Sequence, residues 1–156
     1  KLALEDLREM KGFGTELVTV VIPPERQVSD ARQMLQNEHG QAANIKSKST
    51  KKNVQAAIES AISSLSKYRN AGESGIALFT GSIIVGNNKT RHVTIVLDDL
   101  PQPLLSFRYR CDSKFELTQF MMLTIFTLSF AIPTGLLICH FLFYKNLYFC
   151  SLLKFV

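Results

Sequence analysis

The stretch Gly40–Asn53, GQAANIKSKSTKKN, holds four lysines and no acid. Lys46, Lys48, Lys51 and Lys52 crowd a polar loop and the start of a helix. A helix N-terminus carries partial positive charge and favours acids, so Lys51 and Lys52 work against it at a cost of some tenths of a kcal/mol each. Local rules tend to be broken at functional sites. A loop between two helices projects as a tip, and ammonium groups on a tip suit phosphates. The plain alternative is a solvated basic loop, the usual fate of a charge run. Ile45 is the apolar exception in this tip, placed to pack on a partner.

Two other stretches hold groups able to do chemistry. In SFRYRCDSKF, Ser106–Phe115, period-two geometry puts Phe107, Tyr109 and Cys111 on one face of a strand and Arg108 and Arg110 on the other. Aromatics flanked by arginines suit base stacking with phosphate contact. A core-facing aromatic stripe is the alternative, and for Phe107 it is the better one. The third stretch is GFGTE, Gly12–Glu16. Its two glycines follow a helix, not a strand, so they make no dinucleotide fingerprint. A flexible turn is the plain reading.

Catalysis finds little support. There is no nucleophile elbow, no zinc-protease helix and no phosphate loop. His39, His92 and His140 stand isolated in the sequence. Cys111, Cys139 and Cys150 are too widely spaced for a disulfide framework or a zinc site. No cofactor or metal is expected. The Asn88-Lys89-Thr90 acceptor pattern falls in a plain hairpin turn. The opening residues have no signal-peptide pattern, and a reducing, cytoplasmic setting follows as the default.

Several elements must position these residues. Leu4, Leu7 and Met10 share one helical face. Glu16–Ile22 is a β-branched strand closed by Pro23 and Pro24. Val28, Ala31, Met34 and Leu35 mark a second helix ending near Gly40. Ser49 or Thr50 is placed to cap a third, whose stripe is Val54, Ala57, Ile58, Ala61, Ile62 and Leu65. Gly75–Val85 reads as a strand kinked at Gly81. A Gly86–Lys89 turn returns it as His92–Leu97. After Pro101 and Pro103, Leu104–Cys111 is a fourth strand. The order α-β-α-α-β-β-β predicts a small mixed α/β (α+β) domain: a four-stranded, mostly antiparallel sheet packed with helices.

The sequence divides by composition. All 13 acids lie at or before Glu116, and beyond residue 119 the only Lys or Arg residues are Lys145 and Lys154. We therefore read 1–117 as one domain and 118–156 as a hydrophobic tail. From Phe120 to Tyr144 there is no Asp, Glu, Lys or Arg. Such a run is long enough to span a bilayer, and Pro133 and Gly135 do not forbid it. Three origins stay open for the tail: a shifted reading frame over AT-rich DNA, a membrane anchor, or core-buried chain. The domain is too small to hide that much apolar surface easily, which disfavours the third.

The motifs occur together in one family. Gln41–Ser47, QAANIKS, resembles the Asn-Ile-Lys-Ser loop of archaeal and eukaryotic class-1 peptide chain release factors. Gly14–Glu16 resembles their glycine-threonine loop. Tyr109–Phe115, YRCDSKF, is similar to their Tyr-x-Cys-x-x-x-Phe motif. VVIPPERQVSDARQML and KNVQAAIESAISSL resemble the surrounding framework, closest to the archaeal branch. The likeness covers roughly residues 1–117, with all three motifs in order at family spacing. Ribosome-rescue proteins of similar architecture are expected to lack Asn-Ile-Lys-Ser and rank second.

The resemblance implies a domain that reads mRNA stop codons in the ribosomal A site, beside small-subunit rRNA. It implies that Asn44 and Lys46, within the loop Asn44–Ser47 (with Ile45), contact the first uridine. It implies that Glu38 and Tyr109 read the purines that follow. Thr15, beside Gly14, would monitor the third position, and Cys111 and Phe115 would shape the pocket. Lys48, Lys51 and Lys52 would add charge toward RNA phosphates. Longer family members hydrolyse peptidyl-tRNA through a Gly-Gly-Gln motif and bind a translational GTPase through a further domain. No Gly-Gly-Gln occurs in these 156 residues, so a non-enzymatic recognition fragment is expected. The alternative is a small membrane-anchored protein with a release-factor-like or ribosome-rescue-like head.

Overall fold

The computed structural model describes residues 4–86 and 89–120 in full, and the backbone of 138–144 and 147–153. The chain forms two compact units, Lys1–Gln119 and Phe120–Val156. In the first unit the elements run α1 (Leu4–Glu9), β1 (Leu17–Ile22), α2 (Val28–Gln41), a 3-10 turn (Ala42–Asn44), α3 (Lys48–Leu65), β2 (Ile76–Ile84), β3 (Thr90–Leu97) and β4 (Arg108–Asp112).

LVTVVI shows no polar alternation, and β1 is buried along its whole length. The reason is its place between two neighbours, with both faces covered. The sheet order is β3-β2-β1-β4, and every pairing is antiparallel. The β2–β3 hairpin closes through Val85 N–H to Lys89 O, 2.8 Å, and Lys89 N–H to Gly86 O, 3.0 Å. β1 then pairs with β2, and β4 adds to the free side of β1.

Val18, Val20, Ile22, Ile76 and Leu78 face α2 and α3, where Ala31, Leu35, Val54, Ala57, Ile58, Ala61 and Leu65 complete the main core. The third helix therefore buries the stripe its 3.6-residue period predicts. The opposite face is covered by the chain that follows β4. Phe115 meets Phe79 edge-on, with ring centroids 5.4 Å apart, and Glu116 N–H donates to Thr19 Oγ1 at 3.0 Å.

Four local expectations are corrected. The α3 cap is Ser47, not Ser49 or Thr50: its Oγ accepts from Thr50 N–H at 3.4 Å. Lys48, Lys51 and Lys52 therefore lie within the helix, and of the four lysines Lys46 alone precedes it. Ile45 does not wait for a partner, because it packs partly buried against the main core. The fourth strand begins at Arg108 rather than Leu104. Leu104 is buried and bonds through its N–H to Ser74 O, 3.0 Å, which takes residues 104–107 off the ladder. Finally, Gly81 does not interrupt β2, which stays paired with Leu17 on one side and Val93 on the other.

In the second unit, β5 (Ile138–Tyr144) and β6 (Leu147–Leu153) form an antiparallel pair. The expected bilayer-length run falls largely on residues 121–137, outside the described residues. Among the described residues, no helix is long and apolar enough to cross a membrane.

Candidate nucleic-acid interface

α2 ends where the tip begins. Glu38 and Gln41 stand three residues apart on it, hence on one face. The 3-10 turn follows, closed by Ile45 N–H to Ala42 O at 3.2 Å. It swings Ile45 inward and leaves Asn44, Lys46 and Ser47 exposed. His39 on α2 donates to Glu59 on α3 at 3.0 Å, which pins the two helices together below the tip.

The turned-in Ile45 helps form a cavity of about 230 Å³. Its apolar lining is Ala42, Ile45, Val54 and Ile58, and its polar lining is Thr15, Glu38, Gln41, Tyr109 and Cys111. Three segments far apart in sequence therefore meet there: the turn before β1, the end of α2 with its tip, and β4. Gly14 makes the first possible. Its φ of 74° lies in the left-handed region that glycine adopts freely, and it turns the chain just before Thr15.

On β4, Tyr109 and Cys111 point to the same face, and their hydroxyl and thiol share a hydrogen bond of 3.1 Å. Burial pushes the Tyr109 phenol well above its ordinary range, helped by the bond to Cys111 and by the negative charge of Glu38. The Cys111 thiol is raised too, first by burial and also by Glu38, while the Tyr109 bond opposes the shift. Both groups are neutral at neutral pH. The cavity thus offers two hydroxyls, a thiol, an amide and the carboxylate of Glu38, above an apolar floor. That set can hydrogen-bond the edge of a planar heterocycle and pack against its face.

Not every sequence candidate belongs to this cavity. Asn44 and Lys46, the exposed chain neighbours of Ile45, are not among the cavity's lining residues. Phe115 lies on the opposite face of the sheet, against Phe79, and does not line it. Lys48, Lys51 and Lys52 line a separate open groove with Gln55, Ala56 and Glu59. Lys51 is not free: its Nζ donates to Ala43 O at 2.9 Å. Phe107 packs partly buried against the core, with the Arg26 guanidinium 3.8 Å above its ring. Arg110 faces the other way and pairs with Asp112 (2.9 Å) and Glu116 (3.5 Å). The Ser113 backbone N–H, then Arg110, hold the Asp112 carboxyl below its usual range. The arginines and the aromatics of β4 therefore serve different surfaces. Gln41 is the polar lining residue that motif reading passed over; its i, i+3 relation to Glu38 was the available signal. Among the described residues, no cluster of His, Cys, Asp and Glu could hold a metal ion.

The eRF1 domain 1 family matches residues 1–124, and the chain belongs to it. Its relatives include archaeal peptide chain release factors. It is 52% identical to peptide chain release factor subunit 1 of Methanococcoides burtonii over 76% of this chain and 28% of that protein. Against the Thermoplasma acidophilum protein of the same name, identity is 43% over 75% of this chain and 28% of the relative. The chain thus spans under a third of the length of these relatives. Among solved structures, an archaeal protein superposes with a TM-score of 0.71 at 27% identity, covering 78% of this chain and 34% of its own. The archaeal translation termination factor aRF1 superposes with a TM-score of 0.65 at 28% identity, covering 74% and 31%.

Proposed function

We propose that residues 1–119 are a codon-reading module of translation termination, which recognises mRNA stop codons in the ribosomal A site. The observation that carries this is the convergence of Thr15, Glu38, Tyr109 and Cys111 on one cavity, also lined by Ile45, whose chain neighbours are Asn44 and Lys46. Glu38, as a carboxylate, only accepts hydrogen bonds, so it favours the N–H groups of purines. The Lys46 ammonium only donates, which suits the carbonyl oxygens of a first-position uridine. Thr15 and Tyr109 can donate or accept, and so tolerate either purine. An unpaired triplet is open to such contacts because its bases can leave the stack.

Lys48 and Lys52, exposed along α3, are assigned to phosphates of mRNA or small-subunit rRNA. Peptidyl-tRNA hydrolysis and contact with a translational GTPase we assign to regions of the longer relatives beyond this domain, which makes this module a binder rather than a catalyst. Its site of action is the cytoplasmic ribosome.

The test is equilibrium binding of the chain to ribosomes carrying UAA or a sense codon in the A site. Tighter binding to UAA, lowered about tenfold by Lys46→Ala, is expected; one charged hydrogen bond is worth about that much. Equal affinity for both codons, or an unaffected Lys46→Ala, would refute the proposal.

A further inference from the structure

We propose that Lys51 is a positioning residue that sets the shape of the RNA-facing tip, and that it does not bind phosphate. This deepens the codon-reading proposal and rests on it. The Lys51 Nζ reaches back eight residues to Ala43 O, at 2.9 Å. Ala43 is the middle residue of the 3-10 turn that ends α2. Carbonyls at such an end have no partner within the helix and collect partial negative charge. The ammonium satisfies one of them.

The same charge that is misplaced for the start of α3 is therefore well placed for the end of α2. That accounts for an unfavourable lysine in the first turns of α3. The backbone holds the turn through Ile45 N–H to Ala42 O at 3.2 Å and through Ala42 N–H to Glu38 O, and the packing of Ile45 adds to it. Asn44 and Lys46 flank Ile45, so their direction depends on this turn. Lys51 is partly buried, whereas Lys48 and Lys52 are exposed. The bond to Ala43 engages one of the three donors of the Lys51 ammonium and fixes where that ammonium sits. The three lysines are then not equivalent: two are free to meet RNA, and one holds the tip.

Two measurements on the full chain test this. In the first, amide hydrogen exchange is followed in the free protein. Lys51→Met keeps the aliphatic stem and should speed exchange at Ile45 about fivefold, the equivalent of one ordinary hydrogen bond, with β1 amides unchanged. Lys51→Arg, which keeps a donor, should restore protection, and Lys52→Met should leave Ile45 as it was. Unchanged exchange at Ile45 in Lys51→Met overturns the proposal.

In the second, affinity for UAA-programmed ribosomes is measured against salt concentration. Lys48→Met and Lys52→Met should each flatten the slope of log K against log salt by about 0.7, the value for one phosphate on a single strand. Lys51→Met should weaken binding with the slope kept. A slope flattened by Lys51→Met as by Lys52→Met overturns the proposal. Should the unaltered chain bind stop and sense ribosomes equally, the codon-reading proposal fails, and exchange at Ile45 still decides whether Lys51 holds the turn.

Discussion

Tyr109 and Cys111 are two residues apart on β4, and their polar atoms meet 3.1 Å apart within the candidate cavity. Their pairing has a consequence for pH. Both acids are harder to ionise in the folded chain than in the unfolded one, whose values are near 9.0 for the thiol and 10.0 for the phenol. The unfolded chain therefore loses these protons first. Stability is fully present below about pH 9 and falls as pH rises through 9 and then 10. Denaturant titrations between pH 7 and 11 should show this alkaline loss, and Tyr109→Phe combined with Cys111→Ser should flatten it. A double variant as alkali-sensitive as the parent would contradict the account. Much at this scale was legible in sequence: alternation placed Tyr109 and Cys111 together and separated them from Arg108 and Arg110. Phe115 was expected beside them only because the family resemblance implied it. Alternation holds only while the strand lasts, however, and β4 ends at Asp112. The chain then turns around the sheet edge and carries Phe115 to the other face.

Among the elements, β1 is fixed by a glycine it does not contain. Gly81 on β2 has φ of 150°, and a Cβ built there would run into Glu16 O and lie 2.9 Å from the Leu17 side chain. The backbone of β1 occupies the space a side chain would need. Gly81→Ala should therefore destabilise the fold by roughly 2 kcal/mol or more, measured by urea denaturation. A loss below about 0.5 kcal/mol would show that the strands can separate without cost. The sequence marked Gly81 as special, through an isolated glycine in an apolar strand, but not the close approach of β1 that needs it. A kink and a close approach look alike in one strand, since the second depends on a neighbour some sixty positions away. The cap of α3 was ambiguous for a different reason. Ser47, Ser49 and Thr50 are chemically alike, and the choice rests on backbone geometry: Ser47 is extended, with φ −74° and ψ 118°, as a cap must be.

For the molecule as a whole, the class was legible because periodicity reports helices and strands directly. Strand order was not. β1 pairs with β4 across nearly ninety residues, and nothing local encodes that choice. The cavity inherits this difficulty, because it exists only once β4 has joined β1 beside α2. Residues 1–119 form a compact unit with their own core. A chain ending at Gln119 should therefore melt cooperatively, at the temperature of the corresponding transition in the full chain. A broad transition, or one many degrees lower, would mean that the first unit needs the second. The charge asymmetry at this scale belongs to the tip: along Gly40–Asn53 four lysines stand without an acid. Three of them are the ones the proposed function assigns to RNA, and the fourth, Lys51, bonds Ala43 O.

The most direct test of the central claim is photocrosslinking from the mRNA. A 4-thiouridine is placed first in a UAA codon in the ribosomal A site, the full chain is bound, and the crosslinked peptide is identified. The account predicts a crosslink within residues 44–48, absent when a sense codon occupies the site and lost when excess ribosomes carrying an unsubstituted UAA codon compete for the chain. A crosslink confined to another surface, or one of equal yield on a sense codon, would contradict it.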